Sequence, residues 1–297
     1  MSRASPEPVP AQTRQVLLEC LGISVLDFRC RVAVHAEGPE EPQGVHSIVF
    51  VRRGVFRRTR RLETVVADAN HVLFFNAGEP CRYSHPLPGG DECTNLAVAT
   101  DLALELVARH APRDAERPEA PFRLGHALSS ARAVWLHYEL LALVRRGVPA
   151  LALEDGLAEL AEEAVGSAYR DDGTSDVGDP ASGLAVRRRR ELVEAARLVL
   201  NERLESPPSL GELAASLGCS PFHLSHVFRR GAGLSLRRYF GRLRARAAAQ
   251  RLAEGARDLT ALALDLGYAD HSHMTNAFRR EWGLPPSRFR SLGPLQK

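Results

Sequence analysis

Residues 209–240, SLGELAASLGCSPFHLSHVFRRGAGLSLRRYF, and residues 258–289, DLTALALDLGYADHSHMTNAFRREWGLPPSRF, are two copies of one unit. Leu210, Leu213, Ala214, Leu217 and Gly218 recur 49 residues on as Leu259, Leu262, Ala263, Leu266 and Gly267. Leu224, Phe228, Gly233 and Leu234 recur 50 residues on as Met274, Phe278, Gly283 and Leu284. The offset changes by one residue in the turn, where an insertion disturbs least. Each copy opens with a short helix, apolar on one face, with a small Ala where two helices must approach. That helix stops at Gly218 or Gly267, because glycine reaches positive φ without a Cβ clash. A capping residue then starts a second helix: Ser220 with Pro221 at the first helical position, or Asp270. The pattern is a helix-turn-helix, written twice.

Helical periodicity divides both second helices alike. Leu224, Val227 and Phe228 face a core in the first, as do Met274, Ala277 and Phe278 in the second. Left outside are Phe222, His223, Ser225, His226 and Arg229, and then His271, Ser272, His273, Thr275, Asn276 and Arg279. These faces are polar and basic with few acids, as a helix entering a DNA major groove requires. Residues 235–253, between the copies, read as one long Arg-rich helix. The charge agrees. Residues 187–297 hold 20 Lys/Arg and 10 Asp/Glu, a net +10, in a chain whose total is only +3. Residues 1–186 hold 19 basic and 26 acidic residues, a net −7. A basic module tied to an acidic one points to a polyanion-binding domain joined to a part with another task.

The motifs LxELAxxLG…S…L…F…G…S…Y…R in the first copy and LALDLGYADHSHMTNAFRREWGLPPSRFR in the second extend over about residues 190–293. On them, this segment resembles the DNA-binding domain of the AraC/XylS family of bacterial transcription regulators. The resemblance implies two recognition helices in successive major grooves on one face of the duplex. Carried over by position, Phe222, Ser225 and His226 are base-facing in the first groove. His271, Ser272, His273, Thr275 and Asn276 are base-facing in the second. Arg242 and Arg244, on the connecting helix, approach the phosphate backbone, and Arg229 and Arg279 are expected to join them. The implied partners are double-stranded operator or promoter DNA, RNA polymerase, a small-molecule effector and a second copy of the chain.

The first half reads as β structure. Residues 21–36, 71–76 and 94–99 are strand-like, and HSIVFVRRGVFRRTRR (46–61) looks like a hairpin turning near Arg53 and Gly54. Turn clusters at 77–80 and 86–90 separate them, a spacing that suits a small barrel or sandwich. Amphipathic helices follow over 129–146 and 150–169. Their apolar stripes either cover the sheet or pair with a second subunit. This half resembles the cupin-like sensor domain found in part of the family, notably in VRRGVFRR and HVLFFNAGEPCRYSHPLPGGDECT. The expected architecture is α+β: an N-terminal cupin-like β-barrel with trailing helices, then an all-α domain with two helix-turn-helix motifs. Its divisions are a disordered N-terminus over 1–15, a cupin-like sensor and dimerisation domain over 16–170, a linker over 171–186, and a DNA-binding domain over 187–293.

Other classes fare worse. With 297 residues the chain has no apolar run near the ~18 residues of a membrane span, and MSRASPEPVPAQTRQ lacks the apolar core of a signal peptide. A cytoplasmic, nucleoid-associated protein is expected. Five Cys without a CxxC pair make a disulfide scaffold improbable. A metal-binding barrel needs several His and a carboxylate converging from adjacent strands, usually with an HxH pair. His35, His46, His71 and His85 stand singly, so no metal and no cofactor are expected. Cys81 and Cys93 read as small buried side chains rather than redox sensors. Pro80-Cys81-Arg82 lacks the His that follows the active-site Cys of alkyl-transfer repair proteins, and no catalytic set stands out. An enzyme is therefore not expected. His46, Phe50, Phe56 and Tyr83 are the candidates for lining an effector cavity. The competing reading is a small-molecule-binding or catalytic cupin with an accessory DNA-binding domain.

Overall fold

The structure, a computed structural model, describes residues 12–34, 37–61, 63–172 and 183–292. His35 and much of the expected linker lie outside them. Among the described residues nine strands come first and a tenth follows the first helix: β1 (Gln12–Cys20), β2 (Ile23–Cys30), β3 (Glu41–Pro42), β4 (His46–Gly54), β5 (Phe56–Arg60), β6 (Glu63–Ala67), β7 (His71–Phe75), β8 (Pro80–Ser84), β9 (Asp91–Val98) and β10 (His126–Leu128). They form two antiparallel sheets, ordered β1-β2-β9-β4-β7-β10 and β3-β8-β5-β6. The expected barrel is thus two sheets rather than one closed cylinder. Strands β4 and β7 are apolar on both faces because each separates two cores. Ile48, Phe50, Val72 and Phe74 face a core shared with the helices, while Val49, Val51, Leu73 and Phe75 face the second sheet.

The expected hairpin at Arg53 and Gly54 does not form. β4 pairs with β7 and β9, whereas β5 pairs with β6 and β8, so the chain bends at Gly54 and changes sheets. Gly54 has φ +79, and a Cβ there would lie 2.1 Å from the carbonyl oxygen of Gly90. Only glycine permits that bend against that turn. The first strand starts at Gln12, inside the stretch expected to be disordered.

Helices α1 (Thr100–Ala108), α2 (Ala131–Arg145) and α3 (Glu154–Asp172) pack on the larger sheet. Leu157, Leu160, Ala161, Ala164, Val165 and Ala168, the apolar stripe of α3, are buried within one chain. The stripe therefore covers its own domain and is not left open for a second subunit. The last third holds α4 (Gly183–Glu202), α5 (Leu210–Ser216), α6 (Pro221–Ala232), α7 (Leu236–Ala253), α8 (Leu259–Asp265), α9 (His271–Trp282) and α10 (Pro286–Ser291). α7 is buried on most of its circumference, which its run of small Ala residues allows. The two copies use different cores. Leu213, Leu224, Val227 and Phe228 pack with α4 and Tyr239 in a separate cluster. Met274, Phe278, Trp282 and Phe289 join the core of the N-terminal half.

Candidate nucleic-acid interface

The local chemistry of the two copies explains why four short helices hold their places. Ser209 and Glu212 make a reciprocal capping box on α5, and the Asp258 carboxylate accepts from the Thr260 and Ala261 amides on α8, both at 2.9 Å. Ser220 Oγ accepts from His223 N at 3.2 Å to start α6, and Asp270 Oδ1 accepts from His273 N at 2.7 Å to start α9. Both second helices end on a left-handed glycine, Gly233 at φ 70 and Gly283 at φ 68. The turns between helices span residues 217–220 and 266–270, so the extra residue of the second copy sits where the repeat offset changes.

The outward faces match the periodicity. Phe222, His226 and Arg229 on α6 are exposed and Ser225 is half-buried. On α9, Ser272, His273, Asn276 and Arg279 are exposed, with His271 and Thr275 half-buried. Thr275 Oγ1 lies 3.3 Å from His271 Nε2, and the His273 ring stands edge-on to Tyr268 with centroids 5.3 Å apart. Phe222 is 84% exposed at the first turn of its helix, an apolar ring uncovered among the described residues. These residues lie on two helices braced against one scaffold.

Arg242 and Arg244 do not lie with them. The Arg244 guanidinium stacks 3.6 Å from the Tyr268 ring centroid, and its Nε donates to Leu266 O at 2.6 Å. Arg242 pairs with Glu281 at 3.0 Å and donates to Ser129 O at 2.6 Å. Both are turned into the molecule, because α7 is a central post rather than a surface helix. In this arrangement both guanidinium groups are engaged within the chain. Arg244 thus braces α7 against the turn after α8, whereas Arg242 belongs to a polar seam joining the two halves. Arg246 donates to Ser129 Oγ at 2.8 Å and to Ser129 O at 2.7 Å. Tyr138 OH donates to Gln250 Oε1 at 2.8 Å. Asp68, fully buried, accepts from Tyr239 OH at 2.6 Å and from Asn201 Nδ2 at 2.8 Å. Burial by itself would raise the Asp68 carboxyl, but His71 beside it and these donors hold it well below the usual carboxylate range.

The four candidate effector residues do not line one cavity. Phe50 stacks on His137 on the helix side of the sheet, at 4.9 Å between centroids. Phe56 and Tyr83 pack between the sheets, 6.2 Å apart. His46 stands edge-on to Phe122, and its Nδ1 accepts from Ala77 N at 3.1 Å. A small cavity of about 10 Å³, about the size of one water, lies among Phe50, His71, Ser129, His137, Tyr138 and Arg246. Burial raises the thiols of Cys30, Cys81 and Cys93, which makes them poor nucleophiles. Sequence reasoning missed a cluster of Cys30, His85 and Asp91. Cys30 lies 55 residues before His85 in sequence, and only the strand register brings it beside Asp91.

A helix-turn-helix domain family model matches residues 213–291. The multiple antibiotic resistance protein MarA of Escherichia coli K12 is 30% identical over 91 residues, 31% of this chain and 72% of that protein. The regulatory protein SoxS of Salmonella typhimurium is 30% identical over 91 residues, 31% of this chain and 85% of SoxS. A crystal structure of apo ToxT from Vibrio cholerae aligns with 93% of this chain and 99% of its own, at a TM-score of 0.40 and 11% identity. Two capped helix-turn-helix units on one connecting helix, together with the likeness to MarA and SoxS, give one conclusion: the chain belongs to the AraC/XylS family of transcription regulators.

Proposed function

We propose that this regulator reads a specific DNA sequence through α6 and α9, each laid in its own major groove. The observation that carries the reading is the pair of exposed, acid-free faces on two equivalent helices. Phe222, Ser225 and His226 face the bases of one groove, the Phe222 ring suiting a thymine methyl. His271, Ser272, His273, Thr275 and Asn276 face the other, and Arg229 and Arg279 meet the phosphates on either side. The N-terminal sheets, residues 16–170 in the domain scheme, serve as the sensing module. An open cleft of about 520 Å³ beside Arg29, Arg53 and Asp91 supports effector binding there. Support for a homodimer moves from α3 to β1, an edge strand exposed along Gln12–Val16. RNA polymerase contact and a cytoplasmic, nucleoid-associated location follow from the regulatory role, which needs no catalytic group.

The test is selection of bound duplexes from a random pool by the full chain. Two enriched half-sites, centred about one helical turn (~10 bp) apart, are expected. A pool that binds without enrichment would contradict sequence reading.

A further inference from the structure

The cleft of about 520 Å³ opens where β2 ends and β9 begins. Cys30 and Asp91 are register partners across that ladder, so their side chains project from the same side of the sheet. The 85–90 turn folds His85 back onto the pair, with His85 Nε2 2.7 Å from Asp91 Oδ1. One donor atom each from Cys30, His85 and Asp91 lies within 4.8 Å of both others, and all three residues are buried. The backbone fixes this convergence. Gly90 has φ +71, and a Cβ there would lie 1.8 Å from Cys30 O. An outer ring is present too. Cys93 Sγ donates to Asp91 Oδ2 at 3.2 Å, and Arg52, paired with Asp27, donates to Cys93 O at 3.2 Å.

We propose that Cys30, His85 and Asp91 form a binding site for a divalent transition metal of the zinc class, with its fourth position open to the cleft. The proposal is independent of the DNA-binding reading. A thiolate, an imidazole and a carboxylate suit Zn²⁺ and its neighbours and do not suit Mg²⁺ or Ca²⁺, which take oxygen donors. With bonds of about 2.0–2.3 Å, one ion reaches all three donors after small side-chain rotations. Three protein ligands with an open position mark an exchangeable site rather than a closed structural one. On binding, the Cys30 thiol proton leaves to solvent, and His85 turns a proton-free ring nitrogen to the ion while its other nitrogen keeps the N–H. Cys93 and Arg52 act as positioning groups for Asp91. Cleft residue Arg53 lies 4.0 Å from Glu254, the C-cap of α7, so the site stands one ion pair from the connecting helix.

The experiment uses the full chain, stripped with a chelator and desalted. It is titrated with Zn²⁺ against a chromophoric competitor, and separately with Co²⁺ followed by absorption. One equivalent of each ion is expected, with a thiolate-to-cobalt charge-transfer band. Cys30→Ser should abolish the band and weaken Zn²⁺ binding by at least about 100-fold, and His85→Gln should weaken it comparably. A Cys20→Ser/Cys219→Ser double variant should keep both signals. If circular dichroism shows Cys30→Ser unfolded, that double variant and His85→Gln still decide the matter. Failure of the wild type to take up stoichiometric metal would overturn the proposal. So would a band that survives in folded Cys30→Ser, or one lost in the double variant.

Discussion

Gly218 and Gly267 hold the same place in the two copies, at φ +67 and +68, yet their surroundings differ. Nothing lies within 4 Å of a Cβ built on Gly218, whereas one on Gly267 would lie 2.1 Å from Glu205 O. Gly218→Ala should therefore cost only the left-handed backbone strain, about 1–2 kcal/mol. Gly267→Ala must also displace the 205–207 segment and should cost at least ~3 kcal/mol. Denaturant titration of both variants checks the order, and equal losses would contradict it. Histidine protonation gives a second test at this scale. His137 lies 2.7 Å from Thr94 Oγ1, and burial followed by the Arg52 and Arg145 charges holds it well below its ordinary range. Burial lowers His46 and His126 as well, and pushes His71 down to about 4. The unfolded chain thus takes up protons first as pH falls. Stability from these groups is full above about pH 6.5 and is lost progressively toward about pH 4, by up to ~1.4 kcal/mol per pH unit for each histidine. The thermal midpoint should drop between pH 7.5 and 5, and His137→Gln should flatten that slope. A midpoint independent of pH would be inconsistent with buried neutral histidines.

Elements set by neighbours in sequence were legible before any coordinates. The repeat declared its own helices, caps and left-handed glycines, and the 129–146 and 150–169 periodicities became α2 and α3. Elements set by distant partners were not. VFVRRGVFRR reads as a hairpin because Arg53-Gly54 interrupts an alternating run, but its two strands belong to different sheets. That choice is made by Gly90 lying against Gly54, 36 residues away in sequence. The inward turn of Arg242 and Arg244 was equally hidden. A side chain rich in charge reads as exposed until Tyr268, Leu266, Ser129 and Glu281 are seen around it. The outward faces of α6 and α9, in contrast, follow from 3.6-residue periodicity alone, and most of the candidate interface could be read directly.

At the scale of the whole molecule the two helix-turn-helix units are unequal. The first keeps a core of its own with α4, while the second shares Met274, Phe278, Trp282 and Phe289 with the N-terminal half. Trp135 meets Phe289 edge-on at 4.8 Å, and Arg146 donates to Leu292 O at 2.6 Å. A fragment of residues 183–297 should therefore hold α5 and α6 better than α8 and α9. Hydrogen exchange on the fragment is expected to show protection lost first over 259–291, together with weaker DNA binding than the full chain. Equal protection in both units with undiminished affinity would mean that the seam carries no stability. The central claim is that α9 reads bases while the arginines beside it only position the duplex. Asn276 is exposed, and its amide can pair bidentately with adenine, whereas Arg279, exposed one turn further along the same helix, is proposed to meet a phosphate. The deciding measurement titrates wild type, Asn276→Ala and Arg279→Ala, each shown folded by circular dichroism, on the selected operator and on a scrambled duplex at one salt concentration. Asn276→Ala should lose about 1–3 kcal/mol on the operator and little on the scrambled duplex, while Arg279→Ala should weaken both alike. Equal loss on both duplexes for Asn276→Ala would contradict base reading by α9.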